Sequence, residues 1–250
     1  MQRLIAFIAV LAALGAPVTA QPSGLIVSVA ASVYDSLDEI AALYRAATGV
    51  TVALNAGGSN ALARQIAEGA KAGLFISADN RQMDVVEKAG RVVAGTRTRL
   101  LTNELAVIVP SDAPAERTVA RVIEGGIARL AMGEPAAVPA GVYGRAWLER
   151  QGAWARLEGK VIPFPTVTAV LSAVANGRVD AGIVYRTDVM TSKRVRVIAR
   201  VSPKEHSYLD ISYPAAVVAG PSEAEAKRFL EFLKGPAARE VFERRGFGTQ

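Results

Sequence analysis

The chain has no cysteine and one histidine, His206, among its 250 residues. The first absence excludes disulfides, thiolate nucleophiles and a lipid anchor on a processed N-terminal cysteine. The second leaves Ser-His catalysis and His-rich metal sites without material, and His206 itself stands in a polar loop, Ser202-Pro-Lys-Glu-His206. No nucleophile-elbow pattern occurs, so a hydrolase would have to use a Ser-Lys pair. Asp35, Asp38 and Glu39 fit acidic residues early in a helix better than a metal-ligand set, and Asp79 and Asp84 fit a helix start and its solvent face. Aromatic residues are only 6% of the chain, which argues against a ring-lined pocket for an organic solute. Lysine and arginine are scattered, with no basic stripe interleaved with aromatics of the kind that binds nucleic acid. The apolar run Leu4–Ala16 is shorter than the roughly 20 residues that span a bilayer.

That run has another reading. Arg3 precedes it and Val18-Thr19-Ala20 follows it, the charged, apolar and small-residue order of an export signal cleaved before Gln21. The mature chain, 21–250, is then expected to be soluble and exported, most simply to a bacterial periplasm. Hydrophobic residues at 51% and charged residues at 21% describe a globular chain with enough length for one large domain or two lobes. The net charge of +6 includes Arg3 and is modest and dispersed.

Strand and helix patterns alternate throughout, which predicts an α/β fold with mainly parallel sheets. Helix is expected over Tyr34–Ala47, where Leu37, Ile40, Ala41 and Tyr44 share a face and Gly49 is a stop. Further helices are expected over Asn60–Glu68, Arg81–Lys88, Val119–Glu124, Val142–Arg150, Thr166–Ala175, Ser222–Leu233 and Ala237–Arg244. Strands are expected at Leu25–Ala30, Val50–Leu54, Leu74–Ala78, Leu105–Val109, Arg129–Met132, Val161–Ile162, Ala181–Tyr185, Val195–Val201 and Pro214–Ala219. No flexible linker separates domains. If two lobes exist, the chain crosses near Thr102–Leu105 and Asp210–Pro214, which assigns 21–104 with 211–250 to one lobe and 105–210 to the other.

One local pattern repeats. The apolar strand Leu25-Ile-Val-Ser-Val-Ala30 runs into Ala31-Ser32 and then a helix; Val50-Thr-Val-Ala-Leu54 leads to Gly57-Gly58-Ser59 and then a helix. A helix start exposes backbone N–H groups without intrahelical partners and carries positive potential. Small residues admit an anion to that backbone, and a serine adds a hydroxyl donor. Two such junctions point to a site for a small oxyanion.

These junctions resemble those of the periplasmic molybdate-binding proteins, the soluble receptors of ABC importers. The resemblance extends over nearly all of the mature chain. It is carried by Ala30-Ala31-Ser32, Ser59-Asn-Ala-Leu-Ala-Arg-Gln-Ile66, Leu74-Phe-Ile-Ser-Ala-Asp79, Val138-Pro-Ala-Gly141, Gly182-Ile-Val-Tyr185, Tyr213-Pro214 and the segment Phe232–Phe247. It implies a type II periplasmic-binding-protein fold, two α/β lobes closing on a ligand cleft. It also implies that the oxyanion is held by the hydroxyls of Ser32, Ser59 and Tyr185 and the backbone N–H groups of Ala140 and Val167. Ser32 and Ser59 would lie on the first lobe and the other three on the second. Molybdate, or tungstate of nearly the same size and charge, is then the ligand, with no cofactor and no metal beyond the molybdenum of the ligand itself. The partner is an ABC permease driven by a cytoplasmic ATPase, and a monomer is expected.

Read without the resemblance, Ser32 fits a helix N-cap, Ser59 a serine in a tight turn, and Tyr185 a core tyrosine with a satisfied hydroxyl. Thr166 is a reasonable N-cap for the helix that Val167 begins. A donor-only site suits a fully deprotonated tetrahedral dianion. Phosphate, which keeps a proton near neutral pH, needs an acceptor that none of these five positions supplies as a carboxylate. Sulfate must be rejected by size. The chain departs from the family pattern at Lys71-Ala72-Gly73, where Pro-Ala-Asp is usual, and at Thr168, where arginine is common. Competing readings are a receptor for another small anion or organic solute, an exported Ser-dependent hydrolase, and an exported adhesion or assembly protein.

Overall fold

The computed structural model describes residues 24–202, 206 and 208–249, so the expected export signal, 1–20, lies outside the described residues. In chain order the strands are β1 (Leu25–Ala30), β2 (Val52–Gly57), β3 (Leu74–Ile76), β4 (Thr98–Thr102), β5 (Leu105–Pro110), β6 (Leu130–Gly133), β7 (Val161–Phe164), β8 (Ala181–Tyr185), β9 (Val195–Val201) and β10 (Ser212–Val217). They form two five-stranded sheets, ordered β2-β1-β3-β10-β4 and β7-β6-β8-β5-β9. The chain leaves the first sheet between Thr102 and Leu105 and returns between Val201 and Ser212. The molecule is thus a two-lobed α/β protein.

The apolar runs become the middle of each sheet. β1 and β3 lie side by side, and β5, with every residue buried, sits between β8 and β9. β2 alternates half-buried and exposed residues, as an edge strand covered on one face does. The helices that cover the sheets are α1 (Tyr34–Thr48), α2 (Ser59–Ala67), α3 (Asn80–Lys88), α4 (Val119–Ile123), α5 (Pro139–Arg150), α6 (Trp154–Leu157), α7 (Val167–Ala175), α8 (Arg186–Val189), α9 (Glu223–Lys234) and α10 (Pro236–Arg244). α1 buries Leu37, Ile40, Ala41 and Tyr44 and stops at Gly49, whose φ of 77° only glycine adopts freely and whose N–H returns to Arg45 O.

The sheets are mixed rather than mainly parallel. β1 pairs in parallel with β2 and β3, and β6 with β7 and β8, through helical crossovers. β10 runs antiparallel to β3 and β4, and β5 antiparallel to β8 and β9. A strand arriving from the other sheet needs no crossover helix, so nothing obliges it to run parallel to its new neighbours. β4 carries no clear period in Thr-Arg-Leu-Leu-Thr and was not expected. The short helices α6 and α8 are too brief to show one. β2 extends to Gly57 and α5 begins at Pro139, three residues before the expected start. The second difference bears on function, because it makes Ala140 part of a helix's first turn.

Candidate anion site

Parallel strands that end in register deliver their helices to the same edge. Ala30 pairs with Gly57 at the ends of β1 and β2, so the two serine-bearing junctions are neighbours. In the other sheet Gly133 pairs with Phe164 at the ends of β6 and β7, and the α5 and α7 junctions are neighbours in the same way. β8, parallel to β6, ends beside them at Tyr185. The two edges face each other around a cavity of about 240 Å³, open mouth included. Its walls are Ala30–Ser32, Gly57–Ser59 and Ala78 from one sheet, and Val138–Ala140, Thr166, Val167 and Tyr185 from the other. All five residues carried over from the resemblance therefore line one space.

Each wall is built to donate. Ser59 is 1% exposed and its Oγ accepts the Ala78 N–H at 3.0 Å, which turns the serine's own proton away from that contact. At α5, Pro139 fills the first helical position, where a missing N–H costs nothing, and Ala140 follows with an N–H in the first turn. At α7 the Thr166 hydroxyl caps the helix by accepting from Ala169 N at 3.2 Å, as its sequence position predicts, and Val167 opens the first turn. The N-termini of α2, α5 and α7 add positive potential from aligned peptide dipoles. No lining residue carries a formal charge.

Tyr185 supplies the most telling atom. The residue is 1% exposed, and its hydroxyl has no hydrogen-bond partner among the described residues. Burial drives its pKa well above the ordinary tyrosine value, so it remains a protonated donor. A buried hydroxyl left unpaired costs free energy unless something else accepts its proton.

Residues 25–248 match the family model described as bacterial extracellular solute-binding protein. The chain belongs to that family. It is similar to the molybdate-binding protein ModA of Escherichia coli, with 38% identity over 87% of this chain and 86% of that one. Similarity to ModA of Haemophilus influenzae is 30% over 88% of each chain. Its fold matches the periplasmic molybdate-binding protein of Azotobacter vinelandii with a TM-score of 0.80 at 23% identity, over 90% of this chain and 99% of that one. These relatives are binding proteins of transport systems rather than enzymes.

In this solute-binding protein Ser32 departs from the N-cap reading. It lies inside a 3₁₀ turn, Ala31–Val33, that has no side-chain cap, and its Oγ stands 3.1 Å from the Tyr213 hydroxyl. Tyr213 is fully buried and also receives the Asn103 amide, Nδ2 to Oη, at 3.1 Å. The same Nδ2 donates to Thr187 Oγ1 at 2.9 Å, while Asn103 Oδ1 accepts the Glu104 N–H at 2.9 Å. Asn103 thus sits at the crossing between sheets and ties Tyr213 of β10 to Thr187 of α8. Sequence reasoning gave neither Asn103 nor Tyr213 a role. The one available signal was Tyr213-Pro214 itself: a proline inside a buried strand marks a bulge, and the β4–β10 register shifts between these two residues.

Two carboxyls flank the cavity without lining it. Asp79 caps α3 by accepting from Gln82 N at 2.8 Å, and burial raises its pKa to about 6. Asp188 accepts the Tyr185 N–H at 2.9 Å and is raised by burial to about 8. The lobes also touch beyond the cavity: Gln82 Nε2 donates to Ala137 O at 3.3 Å and Arg81 Nη1 to Ala136 O at 3.4 Å. Of the two departures from the family pattern, Thr168 pairs its hydroxyl with Thr166 at 3.0 Å. At Gly73 a Cβ would lie 2.5 Å from Leu25 Cδ1, so Leu25 fills the room a larger residue would need.

Proposed function

We propose that this solute-binding protein captures molybdate between its lobes and delivers it to the permease of an ABC importer driven by a cytoplasmic ATPase. The ligand is held by the hydroxyls of Ser32, Ser59 and Tyr185 and the N–H groups of Ala140 and Val167. The lobes comprise 21–104 with 211–250, and 105–210; ligand contacts from both favour the closed arrangement. The protein acts as a monomer in the periplasm after removal of residues 1–20. The observation that carries the reading is the Tyr185 hydroxyl, buried and unpartnered among the described residues, beside a cavity whose lining bears no formal charge. Such a wall suits a small dianion that only accepts hydrogen bonds, stabilised by preorganised dipoles. The relatives named for molybdate support the choice among oxyanions.

Calorimetric titration of the mature chain with a panel of oxyanions tests this. Molybdate and tungstate bind with similar affinity, and sulfate and phosphate bind far more weakly. Sulfate binding as tight as molybdate would overturn the assignment and favour a general receptor for small oxyanions.

A further inference from the structure

Resting on the molybdate reading, we infer that Asn103 and Tyr213 form a one-way hydrogen-bond relay that fixes Ser32 as a donor toward the cavity and so sets selection against protonated oxyanions.

The direction follows from atoms that have no choice. The Glu104 backbone N–H donates only, so the atom of Asn103 facing it at 2.9 Å must be the amide oxygen. That settles the orientation of the side chain and turns Nδ2 toward Tyr213 and Thr187. An amide NH₂ also donates only, so Tyr213 Oη accepts from it at 3.1 Å. The phenol keeps one proton, and Ser32 Oγ, at 3.1 Å, is the acceptor recorded for it among the described residues. With Ser32 accepting from Tyr213, the serine proton is left for the cavity, whose wall Ser32 forms.

A ligand that presents its own proton where the Ser32 proton points would need Ser32 to accept there. The serine proton would then have to turn back on Tyr213 and leave the phenol proton buried without an acceptor, at a cost set by an unmade buried hydrogen bond. Neither Asn103 nor Tyr213 lines the cavity. Both are positioning residues that act through Ser32.

Two variants test the relay by calorimetry with molybdate and arsenate, in mildly alkaline buffer where arsenate is a singly protonated dianion. Comparing two dianions cancels the effect of any charge the variant adds. Asn103→Asp keeps an acceptor for the Glu104 N–H but presents a second acceptor to Tyr213, which reverses the relay and leaves Ser32 accepting. The expected result is molybdate binding weakened about tenfold or more, with the arsenate-to-molybdate affinity ratio rising by at least about tenfold. Tyr213→Phe, which keeps the ring packing, removes the constraint without reversing it and should move the ratio the same way by less. If Asn103→Asp does not fold, the Tyr213→Phe ratio decides. An unchanged ratio in the folded variants, with both anions weakened in proportion, overturns the relay and reduces these residues to structural supports. Failure of the wild-type chain to bind molybdate at all would instead overturn the ligand assignment.

Discussion

Gly58 and Pro165 belong to opposite lobes, yet a Cβ placed on Gly58 would lie 2.6 Å from the Pro165 carbonyl oxygen. The two backbones meet at the rim of the cavity, between the α2 and α7 junctions. Closure depends on residue 58 having no side chain, because the opposing atom is backbone and cannot rotate away. Gly58→Ala should therefore hold the lobes apart. The expected outcome is molybdate affinity reduced by about tenfold or more, near 1.4 kcal/mol, with loss of the ligand-induced compaction measured by small-angle scattering. Wild-type affinity in this variant would show that the contact does not govern closure.

Tyr185→Phe should separate binding from stability. Removing a buried hydroxyl with no partner among the described residues relieves an unsatisfied donor, so the ligand-free variant unfolds at the same temperature or higher, by up to about 1 kcal/mol of added stability. Molybdate binding weakens by about 1.5–3 kcal/mol, the value of a hydrogen bond to a charged group. Thermal unfolding with and without molybdate reads both effects. A clear loss of stability in the ligand-free state would mean the hydroxyl has a structural partner.

Ser59→Ala should behave differently, since Ser59 Oγ serves the protein as well as the ligand. The Ala78 N–H loses its buried acceptor, which costs about 1–3 kcal/mol of stability without ligand. Binding also falls, by about 1.5–3 kcal/mol. Urea unfolding of the ligand-free protein distinguishes this variant from Tyr185→Phe; equal stability in the two would refute the dual role.

Asp79 predicts a pH dependence of known sign. Burial raises its pKa from 3.8 to about 6, so the folded protein holds this proton more tightly than the unfolded chain. Stability from the protonated form is fully present below 3.8 and is lost as pH rises through about 6. Asp79→Asn keeps an oxygen for the Gln82 N–H and removes the titration. Across that window the wild type should lose on the order of 2–3 kcal/mol relative to the variant in denaturant unfolding. A difference between the two proteins that stays constant with pH would show that Asp79 is not desolvated as its burial implies.

Local features were legible in the residues themselves. Leu25–Ala30, Leu105–Val109 and Ala181–Tyr185 read as buried strands because they are short apolar runs rich in β-branched residues, and they are strands. Ser59 and Thr166 read as helix-start residues, and each stands at one. The sequence pattern places the start of α5 too late because Val138-Pro-Ala-Gly141 looks like a loop until the helix docks on β6. There a Cβ on Gly141 would lie 2.2 Å from Gly133 O, so only a glycine permits the approach.

The amino-acid order alone thus determined the α/β alternation and the small-residue junctions, because each depends on neighbours a few positions away. Only the tertiary structure decided that the junctions meet. The registers Ala30 with Gly57 and Gly133 with Phe164 align them within each sheet. Only it left the Tyr185 hydroxyl without a partner among the described residues and put Asn103 beside Tyr213, 110 residues away. Whether a buried donor is satisfied is set by what long-range packing brings within about 3 Å of it, and no local pattern records that.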